Sequence, residues 1–350
     1  MKKVLLTSAQ IAITIALLYF VFRDPGKREQ MGIALRLANY WWIALGIIAY
    51  FIVEIAAAIR WQVLLRVQGI RLSNLRVGAL FFIGMFYNQF MPGGTGGDII
   101  KSYLLLKETQ DKKAGALLAV LFDRLIGLMA LISITGVLIF LRYNWLAQLP
   151  ETRRLLYLLL IVLGSSILAL ATSFIISGFN LLHLLPHKFP GREKMIEVSQ
   201  AYHLYAHHWR ATLVAFGMSL IAHLGTFTTF LCVAYALHAQ DVRTTPPSPV
   251  PVLDFFAVLP IERTISSLPI SFGGAGWREI VLQILLHNLA GVREGVANLI
   301  GSLSFLIILF CSLPGGIIYF FYRPSGAAGH VKLREMREEV ATLEHGLGEG

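Results

Sequence analysis

Six runs of apolar residues, 4–22, 41–59, 114–141, 154–178, 210–238 and 295–322, dictate most of what this chain can fold into. About 20 apolar residues in a helix cross the hydrocarbon of a bilayer. Backbone placed there has to satisfy its hydrogen bonds internally. The pattern predicts an all-α polytopic membrane protein with six full spans. Charged residues make up 14% of the 350, against about 25% in a soluble domain. The first run follows Lys2 and Lys3, exceeds the apolar core of a signal peptide and ends at Arg23 without a small-residue cleavage site. It is expected to remain as a span.

Two further regions, 77–106 and 252–290, are apolar but interrupted near their middles. One carries Pro92, Gly93, Gly94, Gly96, Gly97 and Asp98; the other carries Pro269, Gly273, Gly274, Gly276, Arg278 and Glu279. Non-helical backbone at membrane depth needs protein or a wet cavity around it, so each region is expected to be a broken, re-entrant helical hairpin. Loop charges orient the chain. Lys2 and Lys3, the stretch Arg60–Arg76, Lys107–Lys113, the linker 179–209 and the tail from Arg323 all fall on the cytoplasmic side if each broken region enters and leaves by one face. Arg23, Lys27, Arg28, Arg153 and Arg154 run against that pattern. The flanking spans then run in opposite senses, which makes 41–141 and 210–322 inverted repeats, the sequence sign of a transporter with a site near the bilayer midplane. Around them, residues 1–40 hold the first span and an outer loop. Residues 142–209 hold the fourth span and a cytoplasmic linker, and 323–350 form a cytoplasmic tail.

Charges inside apolar runs are expensive and point to function or to pairing. Asp123 and Arg124 interrupt one span, and Glu262 and Arg263 pose the same problem in the second repeat. Glu54 stands in the second span. Adjacent helical residues point about 100° apart, so each of these needs a partner from another segment. Asp98 with Lys101, and Arg278 with Glu279, open the helices that follow the two breaks. Asn88 and Gln89 stand ready to bind head-group oxygens or to cap a broken helix end. The expected cavity set is Asn88, Pro92, Gly93, Gly94, Gly96, Gly97, Asp98, Lys101, Asp123, Arg124, Glu262, Arg263, Pro269, Gly273, Gly274, Gly276, Arg278 and Glu279. In it Lys101, Arg124, Arg263 and Arg278 would bind phosphate, and Asp98, Asp123, Glu262 and Glu279 would organise those cations or bind a basic head group. The competing reading is a set of structural salt bridges that lock the bundle.

Other chemistries find little support. No catalytic motif occurs, and "GGTGGD" lacks the Lys-Ser/Thr ending of a phosphate-binding loop. Cys232 and Cys311 lie in apolar runs, so neither disulfide nor zinc is expected. The net charge of +10 fits cytoplasmic loops and anionic head groups rather than nucleic acid. His203 and His207 fit an interfacial amphipathic segment better than a metal site. No catalytic residue, cofactor or metal is expected.

The three stretches "NQFMPGGTGGDIIKSYLL", "FDRLIGL" and "LPISFGGAGWREIVL", in that order, resemble the lysylphosphatidylglycerol synthase transmembrane region, also called the flippase-like or UPF0104 family. The similarity covers about residues 5–322. It implies a bacterial or archaeal inner-membrane protein that moves, or helps handle, a lipid with a charged or glycosylated head group, and its motifs imply the two Gly-rich breaks and Asp123-Arg124 as the functional set. Larger relatives carry a cytosolic aminoacyltransferase domain; with 28 residues after the last span, the transport half is what the resemblance implies here. Membrane lipids are the expected partners, with a homodimer or a lipid-modifying enzyme as further partners. A membrane-embedded lipid-modifying transferase, or a scaffold for one, is the alternative.

Overall fold

The computed structural model describes residues 23–90, 96–109, 112–148, 150–179, 192–266 and 276–324, together with residues 19 and 182. The predicted run 4–22, the tail beyond 324, and the break residues Pro92, Gly93, Gly94, Pro269, Gly273 and Gly274 lie outside this set. The fold is all-α, as the apolar runs require. Among the described residues five helices are long and apolar enough to cross a membrane.

Helix α1 (Pro25–Arg36) is started by Asp24, whose carboxylate accepts from the Gly26 and Lys27 amides at 2.8 and 3.3 Å, with Pro25 at the first helical position. Helix α2 (Tyr40–Val67) begins at Asn39, which accepts from Trp41 N–H at 3.1 Å. It continues past the apolar run that ends at residue 59. Arg60 and Arg66, expected in a loop, are therefore helical. A charge ends an apolar window, but an arginine is a good helix former and does not end a helix.

Helices α3 (Asn74–Phe90) and α4 (Gly96–Glu108) flank the first break. Helix α5 (Lys113–Leu146) follows, with Arg142 off helical geometry near its end, and then α6 (Pro150–Gly178). Part of the expected linker forms α7 (Arg192–His207). Helix α8 (Trp209–Ala236) leads to a connector holding a two-residue strand pair, β1 (Gln240–Asp241) and β2 (Ser248–Pro249). Helix α9 (Val252–Ser266) precedes the second break. Helix α10 (Trp277–Leu282) follows it and runs through a π-helical stretch, Gln283–His287, into α11 (Asn288–Ala290). Helix α12 (Glu294–Phe321) completes the bundle, and α1 lies across its start through Lys27–Glu294 at 2.8 Å.

Helices α2 and α8 form the most extensive pairing in the bundle. They come close because glycines stand at the contact: a Cβ on Gly225 would reach 2.7 Å from Val53 Cγ2, and one on Gly46 would touch Cys232 Cβ at 3.4 Å. Small residues at such crossings are the usual means of tight packing where lipid offers no hydrophobic drive. Around this pair the packing is reciprocal. Helix α3 lies against α12 and α9 lies against α5, while the helix after each break packs on the next long span, α4 on α5 and α10 on α12. The buried core runs through these contacts, with Trp61, Leu64, Phe227, Phe230 and Phe255 fully enclosed. Helix α6 is the least buried of the five.

Candidate functional site

The first break is built by backbone contact. Gly97 faces the Gly84 carbonyl and Asn88 so closely that a Cβ would stand 2.6 Å from the Asn88 nitrogen. Asn88 Oδ1 accepts from Gly97 N–H at 2.9 Å and so satisfies one of the open amides at the start of α4. Gly96 is buried beside it. This close seat brings Asp98 and Lys101 to the inner side of the bundle, where α2 and α5 supply the opposite charges.

Those charges form a connected lattice. Arg60 donates to both oxygens of Asp123, Nε to Oδ1 at 2.7 Å and Nη2 to Oδ2 at 3.0 Å, and Nη1 donates to Ser219 Oγ at 3.2 Å. Such a bidentate pair is among the stronger charge-assisted contacts. Lys101 lies between two carboxylates, 3.6 Å from Asp98 Oδ1 and 3.8 Å from Asp123 Oδ2, with its ammonium 4.6 Å above the Trp61 ring. Arg124, half exposed, donates from Nε to Asp98 Oδ2 at 2.7 Å. Asp123 and Lys101, both 3% exposed, are thus neutralised by three different helices.

A cavity of about 250 Å³ opens beside the lattice. It is lined by Asn88, Asp98, Lys101, Asp123, Arg124 and Arg263 from the expected set, and by Tyr50, Glu54, Arg60, Gln89, His223 and Thr226. Its lining carries four basic side chains, Arg60, Lys101, Arg124 and Arg263, and three acidic ones, Glu54, Asp98 and Asp123. Two of these charges stand outside the lattice. Glu54, 3% exposed, lies beside Tyr50 and has no cation within 4.0 Å among the described residues. Arg263, half buried on α9, has neither a hydrogen bond nor an ion pair within 4.0 Å among them. Glu54 and Arg263 feel each other's field across the cavity without touching. His223 Nε2 donates to the Gly127 carbonyl at 3.0 Å.

The remaining expected residues lie elsewhere. Glu262, 1% exposed on α9, does not line this cavity. Neither do Gly276, Arg278 and Glu279, which pack with α12 at the second break. Gly276 holds a φ of 87°, a conformation that favours glycine, and its N–H donates to Glu279 Oε2 at 2.7 Å. Tyr50, Arg60 and His223 stand outside the expected set, and Glu54 is a charge that the set gave no place. A signal was present: Tyr50, Val53, Glu54, Ala57 and Arg60 recur at helical spacing on one face of α2, and Ser219, His223 and Thr226 do so on α8. Read as stripes, they point polar groups from two long helices at one place.

Comparison with known proteins adds two findings. Residues 7–315 match the family described as the lysylphosphatidylglycerol synthase TM region. A UPF0104 membrane protein of Pyrococcus horikoshii is 29% identical over 172 residues, 49% of this chain and 47% of that protein. The chain thus aligns with about half the length of that curated relative.

Proposed function

From a chain that belongs to the lysylphosphatidylglycerol synthase transmembrane-region family, we propose a protein that carries a phospholipid head group between leaflets. The head group enters the cavity while its acyl chains stay in the bilayer. The observation that carries this reading is that Glu54, hydrogen-bonded to Tyr50, and Arg263 face one cavity with no ion-pair partner within 4.0 Å among the described residues. A zwitterionic head group complements them, with its phosphate at Arg263 and its ammonium at Glu54. Arginine is suited to the phosphate because its planar fork meets two oxygens at once. The lattice of Arg60, Asp123, Lys101, Asp98 and Arg124 acts as the wall that holds this geometry. Its density of contacts favours a structural role for these five.

The reciprocal packing of α3 on α12 and α9 on α5 supports the inverted-repeat reading and a rocking motion of one repeat against the other. Loop charge favours both termini on the cytoplasmic side, and a bacterial inner membrane is the setting this reading takes. The test is lipid translocation in proteoliposomes of the purified full chain, using phosphatidylethanolamine with a fluorescent acyl tail and dithionite quenching. Wild type is expected to expose the inner pool faster than protein-free vesicles, and Arg263→Gln and Glu54→Gln each to slow this at least ten-fold. Wild-type vesicles that match empty ones contradict the proposal.

A further inference from the structure

Arg278 stands apart from the cavity. It is 4% exposed, its Cζ lies 4.3 Å above the Phe305 ring, and neither Nε nor Nη2 has a hydrogen-bond partner among the described residues. Glu279 does not fill that place. Its Oε1 is 3.6 Å from Arg278 Nε, within ion-pair range but beyond hydrogen-bond length. Both Glu279 oxygens are engaged: Oε2 accepts from Gly276 N–H at 2.7 Å and Oε1 from the Ser302 hydroxyl at 3.3 Å. In the preceding residue, Trp277 Nε1 is another buried donor without an acceptor among the described residues. Gly301 on α12 sets the arrangement. A Cβ there would stand 3.5 Å from Arg278 Cγ and 3.4 Å from Glu279 Cγ, so α12 comes close enough to press Phe305 onto the guanidinium.

Buried donors in folded proteins are paired, and where protein supplies no acceptor, water or an ion does. Arginine cannot escape the problem by losing its proton. A guanidinium whose face is covered by an aromatic ring and whose edge is open is shaped for the oxygens of a phosphate. Trp277, one residue away, holds a second donor without an acceptor among the described residues. We infer that Arg278 and Trp277 form an occluded oxyanion site that takes a phosphate, either the phosphodiester of a lipid head group or free inorganic phosphate. The site is separate from the Glu54–Arg263 cavity and stands whether or not that cavity carries lipid.

The test uses the full chain in detergent micelles with the cavity cation removed, Arg263→Gln, so that cavity binding does not mask the signal. Binding is measured by native mass spectrometry against two probes in separate arms, inorganic phosphate and dioctanoylphosphatidylglycerol. The Arg263→Gln chain is expected to retain one bound copy of at least one probe. Adding Arg278→Gln is expected to weaken that binding at least ten-fold, and adding Trp277→Phe instead to weaken it a few-fold. Retention of phosphate alone identifies a free anion; retention of the lipid alone identifies a head group. Equal binding with and without Arg278→Gln, in chains of equal helical content, overturns the inference. If Arg278→Gln does not fold, the Trp277→Phe chain decides, and unchanged binding of both probes overturns it. Failure of the cavity reading shows differently, as an Arg263→Gln chain that moves lipid at the wild-type rate.

Discussion

At the first break Asp98 meets Lys101 at 3.6 Å and Arg124 at 2.7 Å, while at the second, among the described residues, Arg278 meets only its sequence neighbour Glu279, at 3.6 Å, and lies on a phenylalanine. Both breaks use glycine and place charge at the start of the following helix. They differ in what packs against that helix. Helix α4 lies beside α3 and α5, and Asp123 and Arg124 arrive from α5 with Arg60 from α2. Helix α10 lies against α12, which offers Gly301, Ser302 and Phe305. The charges near the break are alike; the neighbours decide whether they become a neutralised wall or a donor with open valences.

Stability measurements can break this comparison. Asp123→Asn leaves Arg60 buried without its carboxylate and Lys101 with Asp98 alone, and is expected to destabilise by about 3–5 kcal/mol, read from unfolding of the purified protein in micelles. A change near zero would mean that the lattice holds nothing together. Gly97→Ala forces α3 and α4 apart, because its Cβ meets Asn88 and the Gly84 carbonyl. The expected loss is about 1–3 kcal/mol, with a matching loss of protection of the α4 amides in hydrogen exchange. Arg278→Met is expected to cost less. In protein stripped of lipid and phosphate it replaces a buried cation that makes no hydrogen bond through Nε or Nη2 by an apolar chain of similar length, while Glu279 keeps its Gly276 and Ser302 donors, and the loss is expected to stay within about 1 kcal/mol. A fall as large as that of Asp123→Asn would erase the contrast between the two breaks.

The smallest effect lies away from both breaks, in the connector. Arg243 donates to both oxygens of Asp241, at 2.9 and 2.8 Å, and to the Asn288 and Leu289 carbonyls, tying the strand pair to α11. Those hydrogen bonds hold the Asp241 carboxyl below its ordinary value. A carboxylate lowered by folding stabilises above its unfolded value, about 3.9. That contribution is lost as pH falls through the lower folded value. The pair is partly open to solvent, so Asp241→Asn is expected to cost no more than about 0.5 kcal/mol at neutral pH. Unfolding midpoints of variant and wild type should converge as the pH drops below the carboxylate range.

The long helices were legible because an apolar run of about 20 residues has few other solutions, and 114–141, 210–238 and 295–322 all fall within or close to observed helices. Helix ends were less legible, and Arg60 shows why: the charge that ended the apolar window belongs to the helix and faces inward. The π-helical stretch Gln283–His287 has no pattern of its own in the sequence. Of the site, Asp98, Lys101, Asp123, Arg124 and Arg263 were visible as charges that hydrocarbon does not tolerate alone. Their partners were not, because a salt bridge between residues 60 and 123 depends on which helices pack together. Glu54 was visible as a charge and invisible as a site residue until α9 brought Arg263 to the same cavity.

The account turns on head groups entering the cavity between Glu54 and Arg263. The most direct measurement places a cysteine at Ala57, one turn from Glu54 on the cavity wall, in a chain with Cys232 and Cys311 replaced by alanine, and follows its modification by a charged thiosulfonate. Phosphatidylethanolamine added to the micelles is predicted to slow the labelling at least several-fold, and Arg263→Gln to abolish that protection. Labelling at one rate with and without the lipid would contradict the account.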